Sequence, residues 1–154
     1  MIGHHSQLKK CDTSSTKVGN TSVNASSNVK YLGVWIDKEL SFKRYNISKS
    51  KIAALNLCNI RKLRKYLTSC KTLVQVLVMS HLDYSNAIFV DLPAVTLKPA
   101  QCIQNMAAKL VLNKRKYDSA TEAFHQLHWL PIHQLSIFKL CLLVFKALHD
   151  QAPN

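Results

Sequence analysis

Residues 29–37 read Val29-Lys30-Tyr31-Leu32-Gly33-Val34-Trp35-Ile36-Asp37, and the fold turns on how they pair. Tyr31, Gly33 and Trp35 alternate with Leu32, Val34 and Ile36, the period of two that sends successive side chains to opposite faces of a strand. Large apolar residues on both faces predict a strand buried on both sides. Gly33 is out of place inside it, because glycine weakens a strand unless a bulge or a close backbone approach needs it. The chain before this stretch is short, polar and rich in turn residues, whereas after Asp37 the pattern is helical. The stretch is therefore expected to be a seam, the third strand of a small meander that hands over to helices.

Working back towards the N-terminus, residues 9–16 read as loop. Thr16 to Val23 predicts a hairpin around Gly19-Asn20, and Asn24 to Asn28 a further turn. Working forward, a first helix is predicted from about Ser41 to Tyr66, with Ser41 as its N-cap. Tyr45, Ile52, Ile60, Leu63 and Leu67 fall on its expected core face. Lys43, Arg61 and Lys65 lie roughly opposite, with Arg44, Lys51 and Lys62 beside them. Thr68 and Ser69 should end this helix and cap the next. That second helix, from about Cys70 to Phe89, carries Leu73, Val74, Val76, Leu77, Val78, Met79 and Leu82. It is apolar nearly all round and predicts a buried central helix, bent or interrupted at Asp83 to Asn86.

Leu92-Pro93 closes the second helix, and Pro99 suits the first turn of a third, where its missing N–H costs nothing. Ile103, Met106, Ala107, Leu110 and Val111 form the expected core face there. Asn113 to Tyr117 is a basic loop. A short helix over Thr121 to Leu127 has Glu122 near its positive end. Trp129-Leu130-Pro131 makes a corner, and a last helix to about His149 carries Ile132, Leu135, Phe138, Leu142 and Phe145. The expected class is mainly α: a small N-terminal β-hairpin or meander (residues 1–38), a bundle of about five helices (39–150) and a short tail (151–154). Three glycines and four prolines in 154 residues agree with that class, and 47% apolar content suffices for a core.

Five cysteines, an odd number with no C-x-x-C pair, predict reduced thiols and an intracellular setting, cytoplasm or nucleus. Cys58, Cys70, Cys102 and Cys141 sit in apolar helical patterns and are expected to be buried as small hydrophobes. The N-terminus carries no signal-peptide pattern, and no apolar run approaches the ~20 residues of a membrane span. Sequons at Asn20, Asn24 and Asn46 have no meaning without a secretory route.

Charge is the strongest compositional signal. The chain carries net +13, and between Leu40 and Leu82 it has no acidic residue at all. That span holds Lys43, Arg44, Lys49, Lys51, Arg61, Lys62, Arg64, Lys65 and Lys71. A second acid-free span, Leu92 to Tyr117, holds Lys98, Lys109, Lys114, Arg115 and Lys116. A solvated face normally mixes signs, so one-sign spans favour a phosphate-backbone partner over an unspecialised basic surface. Tyr31, Trp35, Tyr66 and Tyr117 lie near the clusters and are candidates to stack on bases. Ordinary packing competes for each, and for Trp35 it is favoured.

Catalytic patterns are missing. The eight acidic residues include no D-x-D or D-D pair that would hold two metal ions for nucleotidyl transfer, and there is no glycine-rich phosphate loop. His125, His128 and His133 invite a metal reading, but Pro131 separates the last two, no carboxylate or thiol lies close, and histidines at a helix corner are favoured. No local motif arranges a Ser-His-Asp triad. No metal site, no resident cofactor and no autonomous enzyme are expected.

Several phrases occur in an order and at spacings that carry more than any one of them: VKYLGVWIDKELSF, NIRKLRKYLT, LVMSHLDYSN, IQNMAAKLVLNKRKYD, LHWLPI and FKALHDQAP. The ordered set resembles the C-terminal part of the reverse transcriptase of jockey-like non-LTR (LINE-type) retrotransposons, over nearly the whole length. Leu127-His128-Trp129-Leu130-Pro131 and Tyr31-Leu32-Gly33 carry most of the weight. The resemblance implies that Tyr31, Leu32 and Gly33 are a primer-grip element at the edge of a palm remnant. It implies that the helices are a thumb clamping a template–primer duplex. Lys43, Lys51, Arg61, Lys62, Arg64 and Lys65 would contact phosphates, with Lys114, Arg115 and Lys116 as a second contact.

The family's metal-binding aspartates lie in upstream palm segments that this chain lacks, so the Mg2+-dependent RNA-directed DNA polymerase activity would belong to a parent protein. The expectation is a truncated copy, begun at an internal methionine and stopping at Gln151 to Asn154. It should bind RNA or DNA without sequence preference and not polymerise. Ser85 and Pro99 depart from the family's pattern. Two alternatives stay open: a free-standing basic helical nucleic-acid-binding or interaction module, and a remnant without function. An exposed apolar face on the β part would favour the fragment, and a covered one the module.

Overall fold

The computed structural model describes residues 15–24, 26–67 and 69–151, as a mainly α chain with two small antiparallel hairpins ahead of its helices. Cys11, Thr68 and the last three tail residues lie outside that set. The chain divides into two compact units, Met1–Tyr45 and Asn46–Asn154.

In the first unit β1 (Ser15–Val18) pairs with β2 (Thr21–Asn24), with Val18 opposite Thr21 across Gly19-Asn20. Gly19 has φ 61°, which the first position of a II′ turn requires. This hairpin follows the expectation. The next one does not. β3 (Asn28–Tyr31) and β4 (Val34–Asp37) pair with each other, Tyr31 opposite Val34, and join neither β1 nor β2. Residues 29–37 are thus a hairpin folded at Leu32-Gly33, and neither a single doubly buried strand nor the third strand of a meander. Both central residues are left-handed, at φ 47° and 81°, the I′ geometry that matches strand twist. Gly33 was the signal: it serves the turn. The alternation misled because it runs at the same period through both arms.

Leucine rarely adopts a left-handed φ, and holding it there costs about 1 kcal/mol that asparagine largely escapes. Leu32→Asn is therefore expected to stabilise the β3–β4 hairpin by about that much, read as slower amide exchange at the paired Tyr31 and Val34. Unchanged exchange would mean that Leu32 is not strained. After β4, Asp37 rather than Ser41 organises the approach to the first helix. Its carboxylate accepts the Ser41 hydroxyl and, at 3.2 Å, the Phe42 N–H. Burial alone would raise the Asp37 carboxyl, but these hydrogen bonds outweigh it and hold it below its ordinary value.

The first helix, α1 (Lys43–Leu63), ends in a 3-10 turn over Arg64–Tyr66. Its buried side chains are Tyr45, Asn46, Lys49, Ser50, Ala53, Leu57 and Ile60, whereas the expected core residues Ile52 and Leu63 are exposed. Two of the polar residues, Asn46 and Lys49, enter the buried face with partners waiting for them. Asn46 donates its amide to the Thr96 carbonyl, and Lys49 donates its ammonium to the Tyr84 carbonyl.

The second predicted helix is a broken rod: α2 (Cys70–Val74), a π segment (Gln75–Met79), α3 (Ser80–Asp83), a left-handed Ser85, and a 3-10 turn (Asn86–Phe89). It is not buried all round. Val74, Val78, Met79 and Leu82 are covered, but Val76 and Leu77 face solvent. The Leu77 carbonyl in the π segment accepts the Asn56 side-chain amide at 2.8 Å, and Val76 O accepts the Ser80 hydroxyl. Asn56→Ala should cost about 1 kcal/mol, with faster amide exchange concentrated in residues 75–80. A uniform change across the unit would count against a local role.

Helix α4 (Ala94–Val111) begins five residues before Pro99, so the proline sits inside the helix and does not open it. Leu97, Ala100, Ile103, Gln104, Ala107 and Ala108 are buried, while the expected core residue Met106 is half out. Helices α5 (Ala120–Leu127) and α6 (Ile132–Leu148) start within a residue of expectation. Ala108, Ala123, Phe124 and Leu127 make a compact core between α4 and α5, flanked by Val111, Leu112 and Trp129. The first turns of α6 pack on the Asn86–Phe89 turn and on α4. Beyond Ser136 the helix runs out exposed, against expectation for Phe138, Leu142 and Phe145. The helical cysteines are also more open than expected: Cys58, Cys102 and Cys141 are exposed and Cys70 is half-buried.

Candidate nucleic-acid interface

In the second unit the solvent side of α1 carries Lys51, Leu55, Cys58 and Lys62 at the 4-3-4 spacing of one helical stripe, about 16 Å long at 1.5 Å per residue. Arg61 stands one position round, and the 3-10 turn adds half-buried Arg64 and exposed Lys65. None of these five cations pairs with a carboxylate among the described residues. The negative end of the α1 dipole favours Arg61 and Lys62 in the last turn. That reason does not extend to Lys51. Tyr66 beside them is 83% exposed, free on its face to stack.

Not every cation of the acid-free span belongs to this surface. Lys49 is 7% exposed, its ammonium held against the Tyr84 carbonyl, 5.6 Å from the Tyr84 ring and 5.5 Å from the Phe89 ring. Burial and the nearby Lys139 push it down, Asp83 partly opposes them, and its pKa falls to about 8. Lys139 in turn bonds the Asp83 carbonyl at 3.0 Å and stands 3.5 Å from its carboxylate. Ser136 donates to Asn86 Oδ1 at 2.8 Å. Asp83, the Tyr84 carbonyl and Asn86 thus tie α1 to α6. Nothing in local spacing marks Lys49 as different from Lys51.

The 109–122 region behaves in the same mixed way. Lys114 is held by Glu122 at 2.8 Å, and Lys109 donates to the Lys116 carbonyl at 2.8 Å. The Arg115 backbone N–H donates to Asp118 at 2.6 Å. The loop is thereby fixed, and it presents the side chains of Arg115 and Lys116, with Lys116 5.7 Å from the ring of Tyr117. Of the three expected contacts here, Lys114 is the one already paired.

In the first unit Tyr31, Leu32 and Gly33 form the exposed tip of the β3–β4 hairpin, Tyr31 at 64% and Leu32 at 74% exposure. Lys43 and Arg44 are exposed in the first turn of α1, and Arg44 places its guanidinium 4.7 Å from the ring of Trp35. Trp35 is therefore covered by an arginine and is not the open stacking surface that Tyr31 is. His125, His128 and His133 are all exposed around the α5–α6 corner, and among the described residues no three His, Cys, Asp or Glu side chains gather as a metal set. Comparison with family models, curated proteins and solved structures returns no match to this chain.

Proposed function

We propose that the chain is a nucleic-acid-binding piece of a non-LTR-type reverse transcriptase, holding the phosphate backbone of a template–primer with the solvent side of α1. Lys51, Arg61, Lys62, Arg64 and Lys65 make the phosphate contacts, Arg115 and Lys116 a second set, and polymerisation belongs to a parent protein. The observation that carries the binding is the run of cations along α1 that no carboxylate neutralises among the described residues. The fragment reading is supported by the exposure of Val18, Val23, Val29, Tyr31 and Leu32 on the hairpins, apolar side chains that an intact partner surface would cover.

The test is the salt dependence of binding to single-stranded RNA and DNA oligonucleotides of unrelated sequence. Log K against log salt should fall by about 0.7 per phosphate neutralised, alike on every sequence. A flat response would remove α1 from the interface, and metal-dependent primer extension by the pure chain would overturn the fragment reading.

A free-standing binding module is the second reading, and the closed core of α4 and α5 favours it. One cooperative thermal transition in both far- and near-ultraviolet circular dichroism would support the module. Helical signal without fixed aromatic signal would support the fragment.

A further inference from the structure

The tripeptide Arg-Lys-Tyr occurs twice in the chain, at Arg64-Lys65-Tyr66 and at Arg115-Lys116-Tyr117. Both copies are closed by the same turn hydrogen bond. The arginine carbonyl accepts the backbone N–H three residues on, Arg64 from Leu67 and Arg115 from Asp118, at 3.2 Å in each case. Each tyrosine is therefore the third residue of a tight turn, directly after two cations. The turns also hold the same place in the fold, a joint between helices. The first follows α1 and leads through Ser69 into α2, and the second follows α4 and leads through Ser119 into α5. Both belong to the second unit.

These joints hold their rings out in solvent. Tyr66 is 83% and Tyr117 91% exposed, the two most open of the described large hydrophobic side chains. One exposed aromatic needs no explanation. Two of them in the same turn, beside the same cations, do. The helix dipole covers only part of the pattern. It favours Arg64 and Lys65, which directly follow α1, but Arg115 and Lys116 lie four and five residues past Val111, beyond the last turn of α4. Acidic neighbours do not cover it either. Glu122 is taken by Lys114, and Asp118 accepts the Arg115 backbone N–H at 2.6 Å. Among the described residues no carboxylate pairs with the side chains of Arg64, Lys65, Arg115 or Lys116.

We propose that the two turns are equivalent clamps for unpaired nucleotides, in which the tyrosine ring stacks on a base and the adjoining arginine and lysine hold its phosphate. The proposal rests on the phosphate-binding reading above and narrows its ligand to single-stranded nucleic acid. An aromatic ring gains by stacking only where a base face is open. Inside a duplex both faces of every base are covered by neighbouring pairs, so the rings add nothing there. An acidic protein surface would satisfy the cations and leave both rings idle. A single strand offers charge and a flat apolar face within one nucleotide, which is the pairing that each turn presents.

The test compares two strands of equal length and charge, a thymidine oligonucleotide and its abasic counterpart, binding to the full chain. Stacking contributes about 5-fold or more for each ring, so the thymidine strand should bind at least about 25-fold more tightly. Tyr66→Ala with Tyr117→Ala should abolish that difference. The same variant should keep abasic binding, duplex binding, the salt slope and the circular dichroism spectrum unchanged, because both rings are exposed. Tyr66→Phe with Tyr117→Phe should preserve the difference, since stacking needs the ring and not the hydroxyl. Equal binding of the two strands would overturn the proposal and leave phosphate binding standing. A difference that survives the alanine variant would overturn it too, moving the stacking to another ring. So would an equal loss on the abasic strand or the duplex, because the tyrosines would then act through the fold. Absence of salt-dependent binding to either strand would overturn the phosphate-binding reading itself, and this proposal with it.

Discussion

Replacing Arg61, Lys62, Arg64 and Lys65 together by glutamine is expected to remove most of the salt dependence of single-strand binding. Four neutralised phosphates give a slope near −2.8, so the intact chain should lose about 50-fold in affinity between 50 and 200 mM salt through these contacts alone. The variant, left with Lys51, Arg115 and Lys116, should lose only about 18-fold over that range and bind more weakly throughout. Glutamine keeps length and helix propensity, so α1 should persist in the circular dichroism spectrum. The four residues lie at the end of α1 and in the turn after it, three exposed and Arg64 half-buried, with no carboxylate among the described residues to release on mutation. The loss should be the same on every oligonucleotide, because phosphate contacts position a chain without reading bases. A loss on one sequence alone would assign these residues to base recognition. An unchanged slope would move binding elsewhere, with Arg115 and Lys116 the next pair to replace.

The second large effect concerns Lys49 and pH. Its ordinary pKa of 10.5 falls to about 8 in the fold, chiefly through burial. Between those values the unfolded chain binds a proton that the folded chain does not, so acid favours unfolding there. Stability of the helical unit should rise as pH climbs from 8 towards 10.5, and the gain should be absent at and below pH 8. A shift of that size corresponds to roughly 3 kcal/mol. The comparison is with Lys49→Met, which keeps the stem and removes the ammonium. Its stability should lack the Lys49 part of the rise. Identical pH profiles would mean that Lys49 is solvated in the fold. Near neutral pH the variant also leaves the Tyr84 carbonyl without its donor, which offsets part of what it gains by not burying a charge.

Much of the fold was legible where local chemistry acts alone. Gly19-Asn20 marked the first hairpin, Pro131 the start of α6, and Glu122 the first turn of α5. Legibility failed where tertiary contacts choose between equal local patterns. Residues 29–37 alternate equally well as one strand or as two arms, and only the need for φ > 0 at Gly33 separates the two. On α1 the apolar residues drew attention to Ile52 and Leu63, yet the buried face includes Asn46, Lys49 and Ser50, and the partners of Asn46 and Lys49 come from Thr96 and Tyr84, dozens of residues away. For the candidate interface the absence of acid over residues 40–82 could be read directly. Which cations stay free for a ligand could not, because Lys49, Arg44 and Lys114 are engaged by Tyr84, Trp35 and Glu122.

The π segment at Gln75–Met79 acts as a spatial frameshift. A π turn holds more residues than an α turn, so it resets the helical phase of everything that follows it. Val74, Val78 and Leu82 recur every fourth residue on the buried side, a rhythm that an unbroken α-helix lets drift by about 40° per step. Deleting one residue from 75–79 would restore better local hydrogen bonding and satisfy every propensity rule for the segment. Asp83 and Asn86 would keep nearly the same phase, because five π residues turn the chain through about as much as four α residues; drawing all five into α geometry instead would swing them by roughly 90°, away from Lys139 and Ser136. The extra residue is thus absorbed within one turn, and the contacts of Asp83 and Asn86 depend on its staying there.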